Sequence, residues 1–280
     1  MNIFTLPDYL TPETKSPIQL FLYESTTSQL NSKIDLTKNA FSFLQEGFKT
    51  VSTSHQPMAI TNDAFLIMKS GHCLMTENLS ATNNFYKSIL LFFSDDALFQ
   101  FIEKHQIPKK HFAATTAAKA CKYDGFVRSF VKSLEDIQQL PLKVQQQLLQ
   151  VKLEEILLYL VATKGADFFG FLTAAKNDQT SHFINVVESN KLNKLSLKEL
   201  AFLANMSVSS FKRAFEKHFQ ESPSKWFQNQ RLEHAAFLLK NETKRPSDIF
   251  EKIGYENLSN FVHAFKTKFG VTPKQYQIQD

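Results

Sequence analysis

Apolar positions along this chain follow two rhythms, and the longer one occurs twice near the C-terminus. Phe211, Ala214, Phe215 and Phe219 are spaced by three and four residues, and Phe261, Ala264, Phe265 and Phe269 repeat them 50 residues later. Each quartet lies on one face of a helix, where the small Ala lets another helix come close. Pro223 and Pro273 follow at the same offset, then Trp226 and Tyr276. The opposite faces differ: Ser209, Lys212 and Arg213 in the first copy, and Ser259, Asn260 and His263 in the second. A repeated interior beneath unlike surfaces suits two readers of two different surfaces. A duplication retained for packing alone would preserve the same interior.

Punctuation around each copy predicts its neighbours. Ser196-Leu-Lys-Glu199 has the form of a capping box and opens a helix over 197–204. Asn205-Met206 makes the turn, and Ser207 caps a helix over 208–219, so this stretch reads as a helix-turn-helix. Pro223, at home in a first helical turn, starts a long helix to Lys240 that joins the halves. In the second unit, Ser247-Asp248 is expected to cap a helix holding Ile249, Phe250 and Ile253 that ends at Gly254. Asn257 or Ser259 then begins the last long helix, which Gly270 closes. Ala201 aligns with Phe250 at an offset of 49, so the second turn is one residue longer than the first. Before both units, 181–188 reads as a short helix with Phe183, Ile184 and Val187 inward.

The other rhythm fills the N-terminal half. Runs at 18–23, 40–53, 64–69 and 86–93 are rich in Phe, Leu and Ile and are separated by Ser, Thr, Asn, Pro and Gly, which predicts the strands of a sandwich or small barrel. A helix follows over 94–105, capped by Ser94, with Leu98, Phe101 and Ile102 on one side. Two more helices are expected, over 125–140 and 142–163, broken by Pro141. In the second of these, Leu149, Leu153, Ile156 and Leu160 alternate at four, three and four, the spacing of a coiled-coil seam. That stripe either joins two copies of the chain or packs on its own sheet, and Leu148, Val151 and Leu157 leave the opposite faces apolar as well. Residues 164–178 read as a linker in which Phe168, Phe169 and Phe171 dock.

Charge sharpens this division. From Gln179 to Asp280 there are 15 Lys and Arg against 10 Asp and Glu, whereas the first 178 residues carry 17 of each sign. The whole excess of +5 sits in the repeat-bearing third, as expected of a part that approaches a polyanion. Cys73 and Cys121 form neither a ligand set nor a disulfide framework, which fits a reducing cytoplasm. No signal peptide or membrane span is visible. His55, His72, His105 and His111 lack metal-ligand spacing, and phosphate loops and nucleophile elbows are missing. No enzyme, cofactor or metal is expected; a barrel lined by Phe and Leu leaves room for an apolar ligand.

These residues carry a family resemblance. The stretches LSLKELAFLANMSVSSFKRAFEKHF and DIFEKIGYENLSNFVHAFKTKFGVTPKQY resemble the DNA-binding domain of the AraC/XylS family of bacterial transcription regulators. The likeness runs from Gln179 to Tyr276 and is most specific at Ile253-Gly254-Tyr255, Phe261, Phe265-Lys266, Phe269-Gly270, Pro273 and Tyr276. It implies an α+β protein with a cupin-like N-terminal β-sandwich or barrel, following helices, and a C-terminal all-α domain of about seven helices with two helix-turn-helix units. The implied domains are 1–124 (regulatory), 125–163 (dimerisation helices), 164–178 (linker) and 179–280 (DNA-binding). Both recognition helices would enter successive major grooves about 34 Å apart on one face of double-stranded DNA. The family's base-facing positions fall on Ser209, Lys212, Arg213, Ser259, Asn260 and His263; Phe250 and His263 depart from the usual small and long basic residues.

The chemistry agrees. Arg213 and Lys212 suit the guanine edge, Asn260 suits adenine, and Lys225, Lys266 and Lys268 suit phosphates. Arg231 in the joining helix reads equally as an ion-pair residue. Activation through RNA polymerase is the family habit. The N-terminal domain would respond to a small apolar effector or to an anti-activator protein, a large apolar pocket favouring the first and a closed barrel the second. The rivals are an enzyme fused to such a domain, either a DNA-repair alkyl acceptor or a metal cupin, and a non-specific architectural protein.

Overall fold

The computed structural model of the protein describes residues 3–10, 16–54, 57–108, 116–173, 179–242 and 244–278. His55 and His111 lie outside the described residues. The chain divides into two units, Met1–Phe183 and Ile184–Asp280.

The first unit is built on two five-stranded sheets. One holds β1 (Ile3–Leu6), β3 (Gln29–Leu36), β5 (Phe48–Ser52), β6 (Met58–Ile60) and β8 (Gly71–Asn78), in the order β1-β3-β8-β5-β6. The other holds β2 (Ile18–Ser25), β4 (Asn39–Glu46), β7 (Ala64–Met68), β9 (Tyr86–Phe93) and β10 (Ala118–Lys122), in the order β10-β7-β4-β9-β2. Gly47, at φ +91, separates β4 from β5, so the run expected over 40–53 is two strands in different sheets. A side chain there would collide with the Asn78 carbonyl and the Tyr86 ring.

The second sheet is covered on both faces, which is why its strands lack alternation. Ala40, Ser42 and Leu44 of β4 and Leu90 and Phe92 of β9 point towards the first sheet. Phe41, Phe43, Ile89, Leu91 and Phe93 point the other way, into a core shared with helices. Those helices are α1 (Asp95–Lys104), α2 (Gly125–Ile137) and α3 (Leu142–Lys164). Ser94 and Asp124 cap α1 and α2 by accepting from Ala97 N and Val127 N. After α3, a 3-10 turn (Ala166–Phe169) and α4 (Gly170–Thr173) carry Phe171 and Leu172 into the same core. That corrects the linker expectation: residues 166–173 belong to the first unit, and 174–178 lie outside the described residues.

The division between the units falls within α5 (Gln179–Ser189), and the rest of the second unit is helical: α6 (Leu197–Leu203), α7 (Val208–Phe219), α8 (Pro223–Asn241), α9 (Pro246–Ile249), α10 (Leu258–Phe269) and α11 (Pro273–Ile278). In α5 the buried residues are Phe183, Val186 and Val187, while Ile184 is half-buried. No helix among the described residues is long and apolar enough to cross a membrane.

Candidate nucleic-acid interface and regulatory cavity

The two long helices α7 and α10 are held by the same devices. Ser207 accepts from Ser210 N at 3.1 Å, and Asn257 accepts from Asn260 N at 2.8 Å, so Asn257 is the second cap. Each helix ends in a left-handed residue, Gln220 at φ +56 and Gly270 at φ +79. Beneath them Phe215 meets Trp226 edge-on at 5.5 Å and 77°, and Phe265 meets Tyr276 at 5.4 Å and 78°. Phe211, Phe215, Phe261 and Phe265 are wholly buried. With that face fixed inward, Ser209, Lys212 and Arg213 on α7 and Ser259, Asn260, His263 and Lys266 on α10 are exposed. Among the described residues, the side chains of Lys212, Arg213, Asn260 and Lys266 make no hydrogen bond or ion pair.

The turns differ as the sequence offset requires. Met206 N donates to Ala201 O and Tyr255 N to Phe250 O, both at 2.9 Å, and Asn205 (φ +54) matches Gly254 (φ +97). Glu256 is therefore the additional residue before the second cap. The supports also differ. Ser196 and Glu199 form the expected capping box on α6, with Ser196 N donating to Glu199 Oε2 at 2.7 Å. In the second unit the cap is Arg245 rather than the expected Ser247-Asp248, so the helix starts at Pro246, with Asp248 accepting from Arg245 N. It stops at Ile249, so Phe250 and Ile253 lie in turns rather than in the expected helix.

The phosphate candidates separate. Lys266 is exposed and unpaired, and Lys225 is exposed although paired with Glu221 at 3.1 Å. Lys268 is largely covered and already engaged, donating to Asn229 O at 2.9 Å and Glu233 Oε1 at 2.8 Å. It fastens α10 to α8, which leaves it less available to a phosphate than Lys266. Arg231 has no ion-pair partner among the described residues; its Nε is buried without a hydrogen bond, and its stem lies against Gly254. Burial lowers the pKa of its guanidinium, an effect partly offset by Tyr255.

Leu149, Leu153, Ile156 and Leu160 are buried within the first unit's own core, at 5%, 3%, 0% and 1% exposure. As a dimer seam they are already occupied, because this face of α3 covers the second sheet. The outer face carries Val144, Val151, Leu158 and Ala162, with Val151 60% exposed.

Between the two sheets lies a cavity of about 210 Å³. Leu6, Ile34, Met68, Met75, Leu90 and Phe92 form its apolar wall, and Tyr23, Gln29, Lys49 and Glu77 its polar end. The polar residues come from register: Gln29, Glu77 and Lys49 are cross-strand neighbours along β3-β8-β5. Sequence reading missed them because β3 and β8 are polar on their outer faces. The usable signal was alternation, since Cys73 and Met75 face the interior and Glu77 falls on the same side.

The thiol chemistry that an alkyl acceptor needs is not set up here. Burial raises the pKa of both thiols, that of Cys73 to about 12, whereas a reactive cysteine needs its thiolate stabilised. No group of three or more His, Cys, Asp or Glu side chains is placed to hold a metal among the described residues.

Two family models match. Residues 39–171 match the ExsA N-terminal regulatory domain, and residues 200–279 match a helix-turn-helix domain. An uncharacterised HTH-type transcriptional regulator of Haemophilus influenzae is 31% identical over 108 residues, 39% of this chain and 36% of that protein. The virulence regulon transcriptional activator VirF of Yersinia enterocolitica is 30% identical over 132 residues, 47% of this chain and 49% of that protein. The chain thus spans half or less of the length of these curated relatives. A structure of ToxT from Vibrio cholerae aligns over 94% of this chain and 98% of that one, with a TM-score of 0.40 and 11% identity. The chain thus joins a region matching an ExsA-type N-terminal regulatory domain to a helix-turn-helix domain, and it is similar over part of its length to proteins named as transcription regulators, as the resemblance to the AraC/XylS family implies.

Proposed function

We propose that the protein is a sequence-specific transcriptional activator that holds double-stranded DNA with α7 and α10 and responds through its N-terminal unit to a small apolar effector. The observation that carries this reading is the pair of helices with matching buried faces and exposed, unpartnered Lys212, Arg213 and Asn260. Arg213 and Lys212 read guanine, Asn260 reads adenine, and Ser209, Ser259 and His263 fit the groove beside them. Lys266, Lys225 and the helix N-terminal amides grip phosphates. The Yersinia relative is named a transcriptional activator, and in this reading activation proceeds through contact with RNA polymerase. The test is selection of bound duplexes from a random pool by the full chain, followed by transcription from the selected site with purified polymerase. A single recovered motif and a rise in transcript are expected; an unenriched pool would make the protein a non-specific DNA binder.

Self-association is the second element of the reading, moved from the inner to the outer face of α3. Exposed Val144, Val151 and Leu158, seven residues apart, supply a seam for a second copy of the chain. Sedimentation should show a dimer that Val151→Asp with Leu158→Asp converts to monomer. A dimer that persists in that variant places the contact elsewhere.

The cavity supports an effector over a closed barrel, because its wall is apolar and its polar groups are gathered at one end.

A further inference from the structure

The polar end of the cavity has a property that its size and wall do not convey. Lys49 Nζ lies 3.0 Å from Glu77 Oε1, with side chains only 2% and 12% exposed. Lys49 also donates to Ser42 Oγ at 3.1 Å, and Ser42 Oγ lies 3.1 Å from Ser88 Oγ. Beside this chain stands Tyr86, whose ring Lys49 overlies at 5.9 Å. Its hydroxyl is buried near Glu77 and Ser88 yet completes a hydrogen bond of normal geometry with neither. Burial, reinforced by Glu77, raises the pKa of both Tyr86 and Tyr23.

A buried ion pair costs desolvation that apolar residues of similar size would avoid, so its presence in an apolar wall calls for a use. The pair is also self-neutralising. An entering carboxylate would have to take Lys49 from Glu77 and then lie beside an uncompensated buried carboxylate, which like-charge repulsion opposes. A neutral hydroxyl or carbonyl meets no such opposition. It can accept from Lys49 or Tyr23, and a hydroxyl can donate to Glu77 as well. Size narrows the class further. A cavity of about 150 Å³ takes benzene, so about 210 Å³ accommodates roughly eight to ten heavy atoms within it.

Resting on the effector reading above, we propose that this cavity binds a compact, uncharged, mainly apolar molecule bearing one hydroxyl or carbonyl, and that the Lys49–Glu77 pair selects against free carboxylic acids.

The full-length protein, labelled at its methionine methyl groups, is titrated with four probes of nearly equal shape: 2-phenylethanol, phenylacetate, 2-phenylethylamine and ethylbenzene. Met68 and Met75 line the cavity, while Met206 lies in the DNA-binding unit and serves as the control. The expected result is a shift of the Met68 and Met75 resonances with Met206 unmoved. 2-Phenylethanol should bind at least tenfold more tightly than phenylacetate or the amine, and about threefold more tightly than ethylbenzene. In Glu77→Gln, where the Lys49 charge is uncovered, phenylacetate should gain tenfold or more. Phenylacetate equal to or better than the alcohol in the unaltered protein overturns the neutral-ligand proposal while leaving the effector reading standing. Ethylbenzene binding as tightly as the alcohol overturns the assigned role of the polar end. No shift from any probe overturns the cavity as an effector site altogether. Should Glu77→Gln fail to fold, the ranking in the unaltered protein decides alone.

Discussion

Under α7 the supporting helix presents Ala201, 1% exposed; at the equivalent place under α10 the chain presents Phe250, half-buried against the second core. The edge-on contacts Phe215–Trp226 and Phe265–Tyr276 are nearly identical, at 5.5 Å and 77° against 5.4 Å and 78°, yet α6 has seven residues and α9 four. An Ala fits beneath a crossing helix, whereas a Phe ring takes room that regular helix packing would use. The chain passes through turns from Phe250 to Gly254, and Glu256 makes up the length before the next cap. A recognition helix can therefore be held in a constant way from behind while the element leading to it is rebuilt. The rings fix α10, and the fastening of Lys268 to α8 adds a tie that neither Lys217 nor His218, at the end of α7, makes among the described residues.

The largest effects should come where the units are alike. Phe215→Ala and Phe265→Ala should each cost about 3–5 kcal/mol, measured by urea unfolding, because both empty a wholly enclosed ring site. Values differing by more than about 2 kcal/mol would break the equivalence of the two cores. At the surface the units should diverge in kind. Arg213→Ala should lose about 1–3 kcal/mol on the selected duplex and relax preference at one base pair, and Asn260→Ala should do so at a different one. An equal loss for Arg213→Ala on random DNA would reduce that side chain to a phosphate contact. Ser207→Ala and Asn257→Ala should each lower stability by about 1 kcal/mol, since each removes the acceptor for one backbone N–H of its helix. The smallest effect separates two neighbouring lysines. Lys266→Ala should reduce the salt slope of DNA binding by about 1. Lys268→Ala should leave that slope unchanged and lower the unfolding midpoint; a change of slope would return Lys268 to the interface.

Legibility followed the physics of each part. The second unit could be read closely because its signals are local: caps at Ser196 and Ser207, Pro223 at a helix start, and Phe at helical spacing. The exception was the helix expected from Ser247, whose early stop comes from packing beneath α10 rather than from any breaker residue. The first unit was read in outline. Its most apolar strands, β2, β4, β7 and β9, stood out because that sheet is buried on both sides. The partner sheet did not, since β3 and β8 spend half their side chains on water.

The α3 stripe shows where sequence reasoning stops. Apolar residues lie on more than one face of that helix, and spacing alone does not tell which face is covered. Only the position of the second sheet decides that Leu149, Leu153, Ile156 and Leu160 are core and that Val144, Val151 and Leu158 face outward. The same holds for Lys49 and Glu77, which are 28 residues apart in the chain and become partners through the β5–β8 register. What the sequence determined alone was everything carried by neighbours three or four residues apart: the duplicated helices, their caps and the side chains they expose. What the tertiary structure decided was which of two apolar faces is covered and which distant charges meet, because both depend on strand register and layer order, which no local spacing encodes.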